Sequence, residues 1–132
     1  MPFLFVQMAR YEHLPIYKKA IDLAVYVENA VRGFSRYHKY SIGADLRNLS
    51  RRVVTLIISA NSREDKLMAL MTLRDTIEEL KIVIRICKEV KAFRNFSSFQ
   101  YAAESVVSLG RQTEGWIKSA QQNTNNRTII KR

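Results

Sequence analysis

Apolar residues recur along most of this chain at helical spacing and nowhere in strict alternation. From about Pro15 to Phe34 one face carries Ile16, Ala20, Leu23, Ala24, Val27, Ala30, Val31 and Phe34, the i, i+3, i+4, i+7 pattern of an amphipathic helix. Pro15 suits its first turn. A second face holds Ile42, Leu46, Leu49, Val53, Leu56, Ile57 and Ala60. It predicts a helix over 41–60, with Ser41 as N-cap and Asn61 as the stop. A third helix is predicted over 63–93, opened by a capping box of Ser62 with Asp65 or of Asn61 with Glu64. A fourth is predicted over 98–120, with Ser97 as N-cap, Gln100 at N3, and Phe96 and Tyr101 placed for a hydrophobic staple. Its core face is Phe99, Ala102, Val106, Leu109, Thr113, Trp116, Ile117 and Ala120, interrupted by Gly110 and Gly115. Gly110 sits near the core face, where it suits a close helix approach. Four such helices joined by short connectors predict an all-α, antiparallel up-down-up-down four-helix bundle.

The 132 residues suffice for one domain with one core. With only four Gly and two Pro, turns are few and elements long. The expected organisation is an N-terminal segment over 1–13, the bundle over 14–121 and a basic tail over 122–132 that is disordered. The stretch Pro2 to Met8 is apolar but lacks a basic leader and a cleavage site, so it is a poor signal peptide. It docks on the bundle or a neighbouring subunit, or is disordered; the sequence leaves these open. No run approaches the roughly 18 apolar residues of a membrane span. The single Cys87 rules out an internal disulfide and a Cys-based zinc site, and it reads as a small core residue in a reducing cytoplasm.

Two segments are more than simple amphipaths. In the second half of the third segment, Leu80, Val83, Ile84, Cys87 and Val90 form one apolar region, and Ile82, Ile86 and Phe93 extend it onto a far shoulder. That arc is wider than a surface helix needs. Either other parts of the chain cover the shoulder or a second copy does. On the second segment Val54 and Ile58 continue the line of Arg47 and Arg51 opposite the core. They are scattered surface aliphatics or part of an interface. A homo-oligomer with Val54, Ile58, Ile82, Ile86 and Phe93 at its interface is the expectation.

Charge sharpens the picture. The net charge is +10 and the isoelectric point about 10.1, which favours a polyanionic partner. Arg74, Glu78, Lys81, Arg85 and Lys88 are spaced 4-3-4-3, so they share one narrow arc of the third helix. Lys91 and Arg94 follow. Arg47, Arg51 and Arg52 form a second cluster. The connector supplies Arg32, Arg36 and Lys39 among Tyr37, His38 and Tyr40. Each cluster alone reads equally well as a solvated face. Together, with few acids nearby, they predict phosphate contacts without sequence readout, and the aromatics suit stacking on unpaired bases.

Nothing in the sequence points to catalysis, a metal or a cofactor. Neither His13 nor His38 follows a Glu at i−3, so the Glu-x-x-His pattern of di-iron bundles is absent. HExxH, P-loop and GxGxxG motifs are absent as well. A helical enzyme or ligand binder would need a polar pocket in the bundle, and the core faces offer almost none.

The run Arg36-Tyr37-His38-Lys39-Tyr40-Ser41-Ile42-Gly43, continuing through Leu46, Arg47 and Leu49 to Ile58-Ser59-Ala60-Asn61-Ser62, resembles the accessory variability determinants of diversity-generating retroelements. So do Tyr17 to Leu23, Leu80-Lys81 through Lys88-Glu89, Ser108-Leu109-Gly110-Arg111-Gln112 and Gly115-Trp116-Ile117. The resemblance spans about residues 11 to 120. That family is similar to the four-helix proteins encoded in intervening sequences of 23S ribosomal RNA genes. The latter typically end helix two in Asn-Ile-Ala-Glu-Gly, which this chain lacks, so the retroelement branch fits better. The resemblance implies a barrel-like homopentamer with a basic surface and no catalytic activity of its own. Its implied partners are a reverse transcriptase and the template-repeat RNA, with DNA or an RNA–DNA hybrid as further candidates. The implied role is in error-prone, adenine-directed cDNA synthesis during retrohoming, in a bacterial or phage-encoded cytoplasmic setting. The family's partner surface maps onto Arg36, Lys39, Arg47, Arg51, Arg52, Arg74, Lys81, Arg85, Lys88, Lys91 and Arg94 only as clusters. A stand-alone nucleic-acid-binding bundle is the alternative reading.

Overall fold

A computed structural model describes residue 11 and residues 13–131, with side chains to residue 126. The expected N-terminal segment therefore lies mostly outside the described residues. Among the described residues there are four long helices and one short one: α1 (Pro15–Arg32), α2 (Arg36–Lys39), α3 (Ile42–Ser62), α4 (Leu67–Glu89) and α5 (Phe96–Lys131). No strand occurs among the described residues. α1 packs against α3 and α5, and α4 packs against the same two. Taken round the four-helix bundle, the order is α1, α3, α4, α5.

The periodic faces become the core. Leu23, Val27, Leu46, Val53, Ile57, Leu70, Leu73, Leu80, Ile84 and Leu109 are almost wholly buried. Each buried side chain of this size contributes about 1.5–3 kcal/mol through apolar surface removed from water. Four polar residues, Ser50, Thr76, Ser105 and Thr113, are buried with them. Thr76 and Thr113 donate to the carbonyls of Thr72 and Leu109 one turn back, both at 2.8 Å, which satisfies the hydroxyls locally.

The helix ends differ from the sequence reading in instructive ways. Between α3 and α4, residues 63–66 are not helical, and neither expected capping box forms. Ser62 turns its hydroxyl back to the Ser59 carbonyl at 3.0 Å. Lys66 instead caps α3: its Nζ donates to the carbonyls of Ala60, Asn61 and Arg63 at 3.2, 3.2 and 2.6 Å. Carbonyls at a helix C-terminus lack their i+4 N–H partners, and a cation suits them. The α5 cap lies two residues earlier than Ser97. Asn95 Oδ1 accepts from the Ser98 N–H at 2.9 Å, and Asn is as good a cap as Ser. Ser41 flanks α3 as expected, but its hydroxyl donates to the Tyr37 carbonyl at 2.7 Å and does not cap the helix.

The connector over 35–40 carries one turn of helix, α2, whose His38 N–H donates to Ser35 Oγ at 3.4 Å. At its other end α4 stops at Glu89, four residues short of expectation. Lys91 adopts φ 61°, and the Ala92 N–H reaches the Cys87 carbonyl at 2.8 Å. That is the left-handed Schellman stop. α5 continues through Lys131 where a disordered tail was expected from 122. No Gly or Pro follows Gly115 to end it.

The wide apolar arc of α4 resolves in two ways. Phe93 is drawn inward: its ring meets Phe34 edge-on at 5.5 Å and lies 6.1 Å from Phe99. Ile82 and Ile86 stay uncovered at 60% and 41% exposure, and Val90, expected with the core, is also exposed. On α3, Val54 and Ile58 are only half-buried. Among the described residues no helix is long and apolar enough to cross a membrane.

Candidate functional site

The basic stripe exists as a strip along one side of α4, next to α5. Its charges have closer company than their sequence neighbours suggest. Lys81 Nζ lies 2.9 Å from Glu78, and Arg85 Nε donates to Glu89 Oε1 at 2.8 Å. Lys88 approaches Glu89 at 4.0 Å and sits over the Phe99 ring, 5.1 Å from its centroid. Arg74 reaches Glu114 of α5 at 4.0 Å. The Arg85 hydrogen bond, the Arg85 charge and then Lys88 hold the Glu89 carboxyl below its ordinary pKa. Solvent screens exposed pairs of this kind, so a phosphate can replace the carboxylate at small cost.

α5 adds what the sequence reading missed. Arg111 and Lys118, one pair of turns apart, face the stripe across an open groove of about 420 Å³ that Arg74 and Lys81 line from the α4 side. Gly110 and Gly115 also line it. A Cβ built on Gly110 would sit 3.5 Å from Lys81 Nζ, an ordinary contact. The spacing of Arg111 and Lys118 was the available signal, but it gains meaning only once α5 is known to lie beside α4.

The remaining clusters do not join this groove. Arg47 and Arg51 gather on one acid of α1: Glu28 Oε1 accepts from Arg51 Nε and Nη2 at 3.0 and 2.6 Å, and Arg47 stands 3.9 Å away. That seam, α1 with α3, lies across the ring from the seam of α4 with α5. Arg52 points elsewhere on α3 and, like Arg36, Lys39, Lys91 and Arg94, pairs with no carboxylate among the described residues. Tyr37 and Tyr40 of the connector are among the most exposed rings. Thus the predicted residues form separate basic areas on different sides, and only Arg74 and Lys81 among them line the α4–α5 groove.

Among curated proteins none matches the chain. A family model described as bAvd-like does match, over residues 14–120. The matched span takes in all five helices apart from the final turns of α5, and the chain belongs to the bAvd-like family.

Proposed function

We infer that this chain is a non-catalytic accessory protein of a diversity-generating retroelement. It holds the element's reverse transcriptase and template RNA through its basic surface and serves mutagenic, adenine-directed cDNA synthesis in the cytoplasm. The observation that carries this reading is the bAvd-like match over residues 14–120. The groove between α4 and α5 supports it, since a row of Arg and Lys on an exposed helix face suits a phosphate backbone.

In the same reading the bundle is up-down-up-down and antiparallel. The contacts of Arg74 with Glu114, Lys81 with Gly110, and Lys88 with Phe99 support that order, because the numbers rise on α4 as they fall on α5. The copies assemble into a closed ring, a pentamer by family likeness. A cyclic ring needs two dissimilar faces per subunit. Ile82 and Ile86 on α4 supply one, and Val54 and Ile58 on α3 the other. Phe93, spent in the chain's own aromatic cluster, is left out of it.

Charge reversal of Lys81, Arg85 and Lys88 together is the test. The expected result is loss of co-purifying reverse transcriptase and template RNA at physiological salt, with the helical circular dichroism signal intact. Unchanged co-purification would overturn this reading, and a monomer mass by light scattering would overturn the ring.

A further inference from the structure

A second cleft, of about 430 Å³, opens where the C-terminal end of α1 meets the start of α5. Its volume lies within the roughly 300–1,000 Å³ typical of small-ligand sites. Tyr26, Asn29, Arg32, Gly33, Arg94 and Ser98 line it, and no carboxylate among the described residues does. This sets it apart from the α4–α5 groove, whose wall carries Glu78 and Glu114 beside its cations. Neither Arg32 nor Arg94 makes a hydrogen bond or ion pair within the described structure, and the side chains of Asn29 and Ser98 are equally free. Two guanidiniums, an amide and a hydroxyl therefore converge with their donors unspent. The negative end of α1 offsets part of that charge, and the N-terminal turn of α5 adds to it.

Two further features shape the cleft. Tyr26 is held by Tyr101, with ring centroids 4.2 Å apart, so an aromatic wall stands beside the cationic one. Gly33 has φ −87°, a conformation open to any residue, so the backbone does not call for glycine there. A Cβ at this position would sit 3.3 Å from Arg94 Nη2, the tip of a flexible side chain that can yield by a few tenths of an ångström. The missing side chain leaves the guanidinium and the cleft floor clear.

We propose that this cleft takes one unpaired nucleotide, with its phosphate between Arg32 and Arg94 and its base against Tyr26. Bidentate guanidiniums suit phosphate, and a fixed aromatic face suits any base. A nucleotide in a duplex keeps its base in the stack and cannot fill both walls. The inference rests on the RNA-binding reading above and gives the protein a preference for single strands that the α4–α5 groove, a charge-only surface, lacks.

The test uses the full chain, with a single-stranded oligoadenylate and an RNA duplex of equal length as probes. Arg32→Gln with Arg94→Gln should lower single-strand affinity about tenfold or more and duplex affinity far less. Gly33→Leu, which fills the cleft and leaves every charge in place, should do the same. A normal circular dichroism spectrum confirms that each variant is folded. Unchanged single-strand binding in both variants, or an equal loss for strand and duplex, would overturn the proposal. Adenosine monophosphate as competitor separates the sources of the ligand. Displacement of the strand from the native protein alone identifies a site that also accepts a free nucleotide; no displacement identifies the strand itself as the ligand. Reverse-transcriptase co-purification is read on the same variants. Its absence from the native protein would sink the accessory role while leaving the cleft to be judged by its strand preference.

Discussion

Arg51 aims both its Nε and Nη2 hydrogens at a single oxygen of Glu28, at 3.0 and 2.6 Å, while Arg47 waits 3.9 Å away. One acid on α1 thus neutralises half of a basic pair on α3. The pair is exposed, so Glu28→Gln should change stability by less than about 1 kcal/mol. It should also release two cations to a polyanion. If the α1–α3 seam takes part in RNA binding, the variant binds more tightly at low salt. The slope of log affinity against log salt then steepens by about one to two. An unaltered slope in a salt titration would remove Arg47 and Arg51 from the binding surface.

Glycines on α3 and α5 should respond in opposite directions to the same change. A Cβ on Gly43 would lie 2.8 Å from the His38 carbonyl oxygen and 2.9 Å from Val31 Cγ1. The first of these is backbone and cannot step aside. Gly43→Ala should therefore cost about 1–3 kcal/mol by overpacking. Gly115 has nothing within 4 Å of its built Cβ. Gly115→Ala should stabilise the protein by about 0.5–1 kcal/mol through helix propensity alone. Urea melts of the two variants check both signs.

Lys91 stops α4 in a conformation that side chains resist, at φ 61°. Left-handed backbone costs an L-residue roughly 1–2 kcal/mol, and Gly is the usual occupant of this position. Lys91→Gly should raise unfolding free energy by about 0.5–1 kcal/mol, after Gly's own entropic cost. The same substitution deletes an exposed cation that pairs with no carboxylate among the described residues, so RNA affinity should fall as stability rises. A variant that loses stability would show that Lys91 has a contact that outweighs its backbone strain.

The sequence spoke most clearly where one helix alone decides the outcome. Ile16, Ala20, Leu23, Val27 and Val31 on α1, and Leu80, Val83, Ile84 and Cys87 on α4, went into the core because periodicity fixes which side of a helix is apolar. It spoke poorly where two helices decide jointly. Glu28 and Arg51 are 23 residues apart, and their pairing depends on how α1 and α3 are rotated. Arg111 and Lys118 became part of the basic groove for the same reason. Helix ends fell in between. Asn95 and Ser97 are comparable caps, and local chemistry could not rank them. Lys66 as the cap of α3 was illegible, since its length lets it reach back over several residues. The cleft between Arg32 and Arg94 needed both the stop of α1 and the start of α5, each misplaced by about two residues in the sequence reading.

Cys87 lies wholly buried on α4. Burial first, and the negative charge of Asp45 second, push its thiol up from 9.0 to about 12. A protonated, enclosed thiol is a poor nucleophile. The folded protein should resist alkylation by iodoacetamide at mildly alkaline pH, and label only once denatured. The pKa shift also sets a pH dependence. The folded-state pKa lies above the unfolded one, so the unfolded chain gives up this proton first. The thiol's contribution is complete below pH 9 and is lost progressively as pH rises toward 12, at up to about 1.4 kcal/mol per pH unit. Cys87→Ala should flatten that part of the stability curve while lowering the whole curve by a small cavity cost. Denaturant midpoints followed from pH 8 to 11 in both proteins would measure the difference, and parallel curves would show that another group governs alkaline unfolding.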